Sequence, residues 1–128
     1  MREEVTLTLA LLTAKTKIER DRGFRELSDL TETLSSQEID ELETYLLDFA
    51  VVVDESTATN GVETGHASDD HWERLLGLAR GAGLLNLSGK GSESFAEKMI
   101  EPAMTALTHA EVRVREKAGW LLGTVAAR

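Results

Sequence analysis

His66, Asp69, Asp70 and His71 stand together as His-x-x-Asp-Asp-His, a set of imidazoles and carboxylates close enough in sequence to share a cation. A hard or borderline metal there would support a small metal-dependent enzyme centred on His66, Asp70 and His71. The spacing fits no established zinc pattern, and Asp70 with Glu73 also makes a helix-capping pair. A cap beside loop histidines is the simpler reading, so no metal and no catalytic residue is expected. His109, the third histidine, falls in a hairpin turn and reads as turn geometry. Gly83 to Gly91 ends Gly-Lys-Gly and superficially suggests a phosphate loop. The Walker pattern needs four residues between its glycines and Ser or Thr after the lysine, whereas Leu84 to Ser88 intervene here and Gly91 follows Lys90. Asn86-Leu87-Ser88 is a formal glycosylation sequon, inert without secretion. There is no cysteine, which removes disulfides, thiolate metal sites and cysteine nucleophiles. No serine sits in a nucleophile elbow, and the many carboxylates lack an apolar pocket that would raise a pKa. No cofactor is expected.

Charge is distributed unevenly. The net charge is −9, yet no Lys or Arg occurs between Arg25 and Arg74, an interval that holds fourteen of the 23 acids. The rest of the chain, with all fourteen Lys and Arg against nine acids, balances at +5. The acidic middle should repel phosphate backbones and anionic lipid heads, so neither nucleic acid nor direct membrane contact is expected. It reads as a solvated face, with a docking surface for a basic partner as the competing use. No apolar run approaches the roughly 20 residues of a bilayer span, and Glu3 and Glu4 argue against a signal peptide. A cytoplasmic protein is expected.

The elements that would position any site are helices. Thr16 with Glu19, Ser35 with Glu38 and Ser94 with Glu97 fit the S/T-x-x-E capping box. Apolar residues recur at helical spacing in Ile39, Leu42, Leu46 and Phe49, in Trp72, Leu75, Leu76 and Ala79, and in Val114, Ala118, Leu121, Leu122 and Val125. Six helices are expected, at roughly 4–15, 17–33, 36–53, 70–87, 94–108 and 111–127. Val51 to Val53 reads as a fraying helix end. Residues 54–68 are polar, contain Asn60-Gly61, and read as a mobile loop inside one domain spanning 1–128.

The helices pair as three hairpins whose second members begin near 17, 70 and 111. Val114-Arg115-x-x-Ala118-x-x-x-Leu122, after the Pro102 helix and a turn, resembles a HEAT repeat, whose helical hairpins bury their apolar faces only by stacking. Leu75-Leu76-Gly77-Leu78-Ala79, Ile100-Glu101-Pro102 and Arg113-Val114-Arg115, in that order, resemble the N-terminal HEAT repeats of the vacuole-morphology scaffold of the phosphatidylinositol 3-phosphate 5-kinase complex. Leu12 to Leu27 also resembles the N-terminal motif of ataxia-telangiectasia-type checkpoint kinases, which likewise start with helical repeats.

These resemblances imply an all-α, right-handed α-solenoid of the HEAT/armadillo-like kind, with about three hairpins. They imply a non-enzymatic scaffold or adaptor whose partners are proteins, among them lipid-kinase complex subunits at endosomal or vacuolar membranes. The alternative is a docking module of a checkpoint-type kinase. In a HEAT stack the second helices line the inner face. Arg74, Arg80, Arg113, Arg115 and Lys117, with Trp120, are then the candidate partner contacts. The competing use of the arginines is to bond a neighbouring loop, and of Trp72 and Trp120 to pack between hairpins. Leu121, Leu122, Val125, Ala126 and Ala127 leave the last helix without a polar cap, which implies further repeats or self-association.

Overall fold

The computed structural model describes residues 1–59 and 72–127. Among them are seven helices and no strand: α1 (Glu3–Leu12), α2 (Lys17–Thr31), α3 (Ser36–Leu46), α4 (Asp48–Thr59), α5 (Trp72–Ser88), α6 (Glu93–Ala106) and α7 (Val112–Ala126). The His66, Asp69, Asp70 and His71 set, and most of the expected loop, lie outside the described residues.

Local chemistry fixes the helix starts. Thr16 accepts the Glu19 N–H at the start of α2. Ser35 and Glu38 form a complete capping box on α3, each satisfying the other's backbone N–H. The expected cap at Ser94 is not used. Ser92 caps α6 instead and accepts the Phe95 N–H at 3.1 Å. The carboxylate that completes this cap comes from another helix. Glu43 of α3 accepts the Ser92 N–H at 2.6 Å and its hydroxyl at 3.3 Å. A tertiary partner thus displaces the local Ser94–Glu97 pair, which sequence spacing alone favoured.

The expected single helix over 36–53 is two helices meeting at Leu47. The apolar stripe runs through the junction unbroken: Ile39, Leu42, Leu46, Phe49 and Val53 are all buried. Continuous helical spacing therefore concealed the break. Val51 to Val53 is not a fraying end, for α4 continues to Thr59, and Val52 and Val53 belong to the core. The first residues of the expected loop, 54–59, are accordingly helical.

α1 packs on α2, α6 packs on α7, and α5 meets α2 on one side and α7 on the other. α3 and α4 lie against α5, and α4 also reaches α6. Leu12, Leu27, Leu42, Leu46, Leu75, Leu78, Leu85 and Leu121 are fully enclosed. Each such side chain contributes about 1.5–3 kcal/mol of transfer free energy. Two glycines set the closest approach. A Cβ at Gly23 of α2 would lie 2.8 Å from the Leu11 carbonyl carbon, and one at Gly77 of α5 would lie 2.8 Å from that of Leu12. The C-terminal end of α1 is thus seated between notches on two different helices.

Candidate functional site

The turns that precede α2 and α7 are built alike. Arg20, in the first turns of α2, donates from Nη1 to the Ala14 and Lys15 carbonyls at 2.9 and 2.7 Å. Arg115, at the matching position of α7, donates from Nη1 to the His109 and Ala110 carbonyls at 2.7 and 3.1 Å. Each guanidinium reaches carbonyls six and five residues upstream and ties the turn to its helix. His109 is buried, and its Nδ1 accepts the Glu111 N–H at 3.0 Å, so its role in the turn is structural.

The six residues singled out in the sequence do not form one strip. Arg115 is held in the turn. Arg74 pairs with Asp48 of α4 and lies 5.8 Å from the centre of the Tyr45 ring. Its hydrogen bond to Asp48 raises its pKa further above the ordinary arginine range. Trp120 lies on α5 at Gly83, where an added Cβ would overlap the indole, so it is first a packing residue between α5 and α7. Arg80, Arg113 and Lys117 do converge, on a groove of about 390 Å³ between α2, α5 and α7.

α2 adds Lys17 and Arg20 to this groove, and the sequence reading overlooked both. A signal for them existed: Arg20 and Arg115 hold the same position relative to their helix starts. Asp21 and Glu116 are the carboxylates of the groove, and Leu76 is its apolar member. With Glu111, which pairs with Arg113, five cations face three carboxylates, a local balance of +2 in a chain of −9.

Several of these cations are held in place. Arg80 donates to Asp21 at 2.9 Å, and its guanidinium lies 4.3 Å from the centre of the Phe24 ring. Lys17 donates to the same carboxylate at 2.8 Å. The Lys17 hydrogen bond, followed by that of Arg80, holds the Asp21 carboxyl below its ordinary range. Arg113 pairs with Glu111 and lies 3.9 Å from the centre of the Trp72 ring, which Arg20 also approaches at 5.3 Å. Cation–π contacts of this kind fix a guanidinium without neutralising it. Lys117 is placed differently. Its ammonium lies 4.8 Å from the Trp120 ring centre, and no carboxylate among the described residues is within ion-pair distance. Burial first, and the neighbouring Arg80 charge second, lower its pKa.

Gly83 to Ser88 lie inside α5, in keeping with the rejection of a phosphate loop there. Asn86 of the sequon is buried and donates to Thr124 Oγ1 at 3.1 Å, which closes it to glycosylation. Val125 and Ala127 line a shallow hollow with Asn86 and Ala96 at the far end of α5 and α7. Several acids of the acidic interval are bonded among the described residues, including Glu26 to Arg22, Glu38 to Arg2, Glu41 to the N-terminal amine, Glu43 to Ser92 and Asp48 to Arg74. Among the described residues, no group of three or more His, Asp or Glu is placed to hold a metal, and no helix is long and apolar enough to cross a membrane.

No protein-family model matches the chain, and neither the curated proteins nor the solved structures contain a match to it.

Proposed function

We propose that the chain is a short HEAT-like α-solenoid that acts as a non-enzymatic scaffold or adaptor for other proteins. One observation carries the proposal: Arg20 and Arg115 make the same pair of back-bonds, six and five residues upstream, in the first and last hairpins. A stabilising device that recurs at the same helix position is what a structural repeat requires. The side-by-side order of α2, α5 and α7, with α4 against α6, is the arrangement in which such hairpins would stack. The order of Leu75-Leu76-Gly77-Leu78-Ala79, Ile100-Glu101-Pro102 and Arg113-Val114-Arg115 suggests a cytoplasmic setting in a phosphoinositide-kinase regulatory complex, held at endosomal or vacuolar membranes through its partners.

Cross-linking capture from a cell extract tests the proposal. Capture is compared between the wild-type chain, a variant charge-reversed on the α2–α5–α7 face (Lys17→Glu with Lys117→Glu), and one altered on the exposed part of α1 (Leu7→Glu). Partners whose capture is lost with one face and retained with the other are expected. Capture that depends on no helical face would overturn the scaffold reading.

A further inference from the structure

We propose that the groove between α2, α5 and α7 binds a short acidic polypeptide segment of a partner. The inference rests on the scaffold reading and adds the face and the partner's chemistry. Its first support is charge complementarity. The groove gathers Lys17, Arg20, Arg80, Arg113 and Lys117 into a local excess of positive charge on a strongly acidic body. These cations come from three separate helices and meet at shared partners: Lys17 and Arg80 at the Asp21 carboxylate, Arg20 and Arg113 at the Trp72 ring.

The second support is Lys117. It is half-buried against Trp120 and ion-paired to no carboxylate among the described residues, while the like charge of Arg80 acts on it, opposed by the charges of Asp21 and Glu116. An incoming carboxylate would relieve that repulsion where water is already partly excluded, and there a charged hydrogen bond is strongest. Arg80 and Arg113 are held by Phe24 and Trp72, so less side-chain freedom is lost when an anion binds.

The surroundings set the class of anion. A nucleic acid or an anionic bilayer extends well beyond the groove and would meet the acidic remainder of the surface, which repels it. A peptide of groove length escapes that repulsion.

The test uses the full chain and a fluorescein-labelled hexaglutamate peptide, followed by fluorescence anisotropy at about 20 mM salt, where screening is weak. Lys117→Glu is expected to weaken binding by about tenfold or more, and Lys117→Gln by less. Lys98→Glu, the same charge change on an exposed site of α6, is expected to leave it unchanged. Thermal melting of each variant verifies folding. Equal effects of Lys117→Glu and Lys98→Glu would overturn the groove. So would tighter, Lys117-dependent binding of an oligothymidylate or of phosphatidylserine vesicles than of the peptide. If the peptide result fails while partner capture still depends on another helical face, the groove falls and the scaffold stands. If no face matters, both fall.

Discussion

The first and last hairpins reach the same turn geometry by different means. Before α2, the cap is a neutral threonine hydroxyl, and the helix crosses α1 through a glycine notch at Gly23. Before α7, the cap is the Glu111 carboxylate, a buried histidine closes the turn, and Ala118 is the buried small residue of the helix. Only the arginine that reaches back to two carbonyls is common to both. The turn bond is therefore what these two hairpins share, whereas their cap and crossing residues differ. Six alanine substitutions and one titration sharpen or break that contrast.

The largest effect belongs to the notch. Gly23→Ala would push a methyl group against the α1 backbone, which cannot give as a side chain end can. A loss of about 2–3 kcal/mol is expected by urea denaturation. On α7, where Ala118 occupies the matching position, the neighbouring Gly119→Ala meets only a Leu107 methyl at 3.9 Å. It should gain about 0.5–1 kcal/mol from helix propensity. Equal losses at both sites would erase the distinction between the crossings.

Next come the arginines. Arg20→Ala and Arg115→Ala should each cost about 1.5–3 kcal/mol, the worth of hydrogen bonds from a charged donor. The Arg20 change should cost more, because Arg20 is nearly buried and also faces Trp72. Lysine at either position should rescue only partly, since one ammonium does not reproduce the planar fork. A neutral Arg115→Ala result in thermal melting would show that the shared turn bond is incidental.

The caps give smaller effects. Thr16→Ala should cost about 1 kcal/mol. Glu111→Ala should cost a similar amount, because its bond to the Arg113 N–H, at 3.2 Å, matches the Thr16 cap at 3.3 Å.

The finest distinction is in acid. The Glu111 carboxyl is depressed below 4.5, first by the Arg113 side chain and then by the Arg113 backbone N–H. A group with a depressed folded pKa contributes its full stability above its unfolded value. That contribution is lost as pH falls through the folded value. The Arg113 amide resonance should therefore titrate below about pH 4.5, while the Thr16 hydroxyl cap has no proton to gain. An Arg113 amide that titrates at or above pH 4.5 would contradict this assignment.

Much of the fold was legible because its signals are local. Thr16 and Ser35 sit within three residues of the groups they cap, and the stripe from Ile39 to Val53 repeats within a few turns. What escaped notice depended on distant residues. Ser92 caps α6 because Glu43 arrives from α3, forty-nine positions away, and no spacing rule reports that. The break at Leu47 carries neither proline nor glycine. Of the six residues singled out, Arg80, Arg113 and Lys117 meet in one groove. Lys17 and Arg20 went unseen because the acidic gap between Arg25 and Arg74 separates them from the other cations in sequence. Arg74 and Arg115 looked identical to their neighbours by type, and only geometry shows their hydrogen-bonding capacity spent on Asp48 and on the turn carbonyls.

The Glu43–Ser92 contact also bears on how the molecule folds. In an array whose units fold independently, each hairpin carries all of its own capping groups, and the stability of the whole is a sum over units and interfaces. Here the first turn of α6 borrows its carboxylate from α3, so the last hairpin completes its own start only when the middle of the chain is already docked. An isolated 89–128 peptide would accordingly fray at Ser92, and unfolding of α3 would be felt at once in α6. The start of α6 is thereby coupled to the docking of α3.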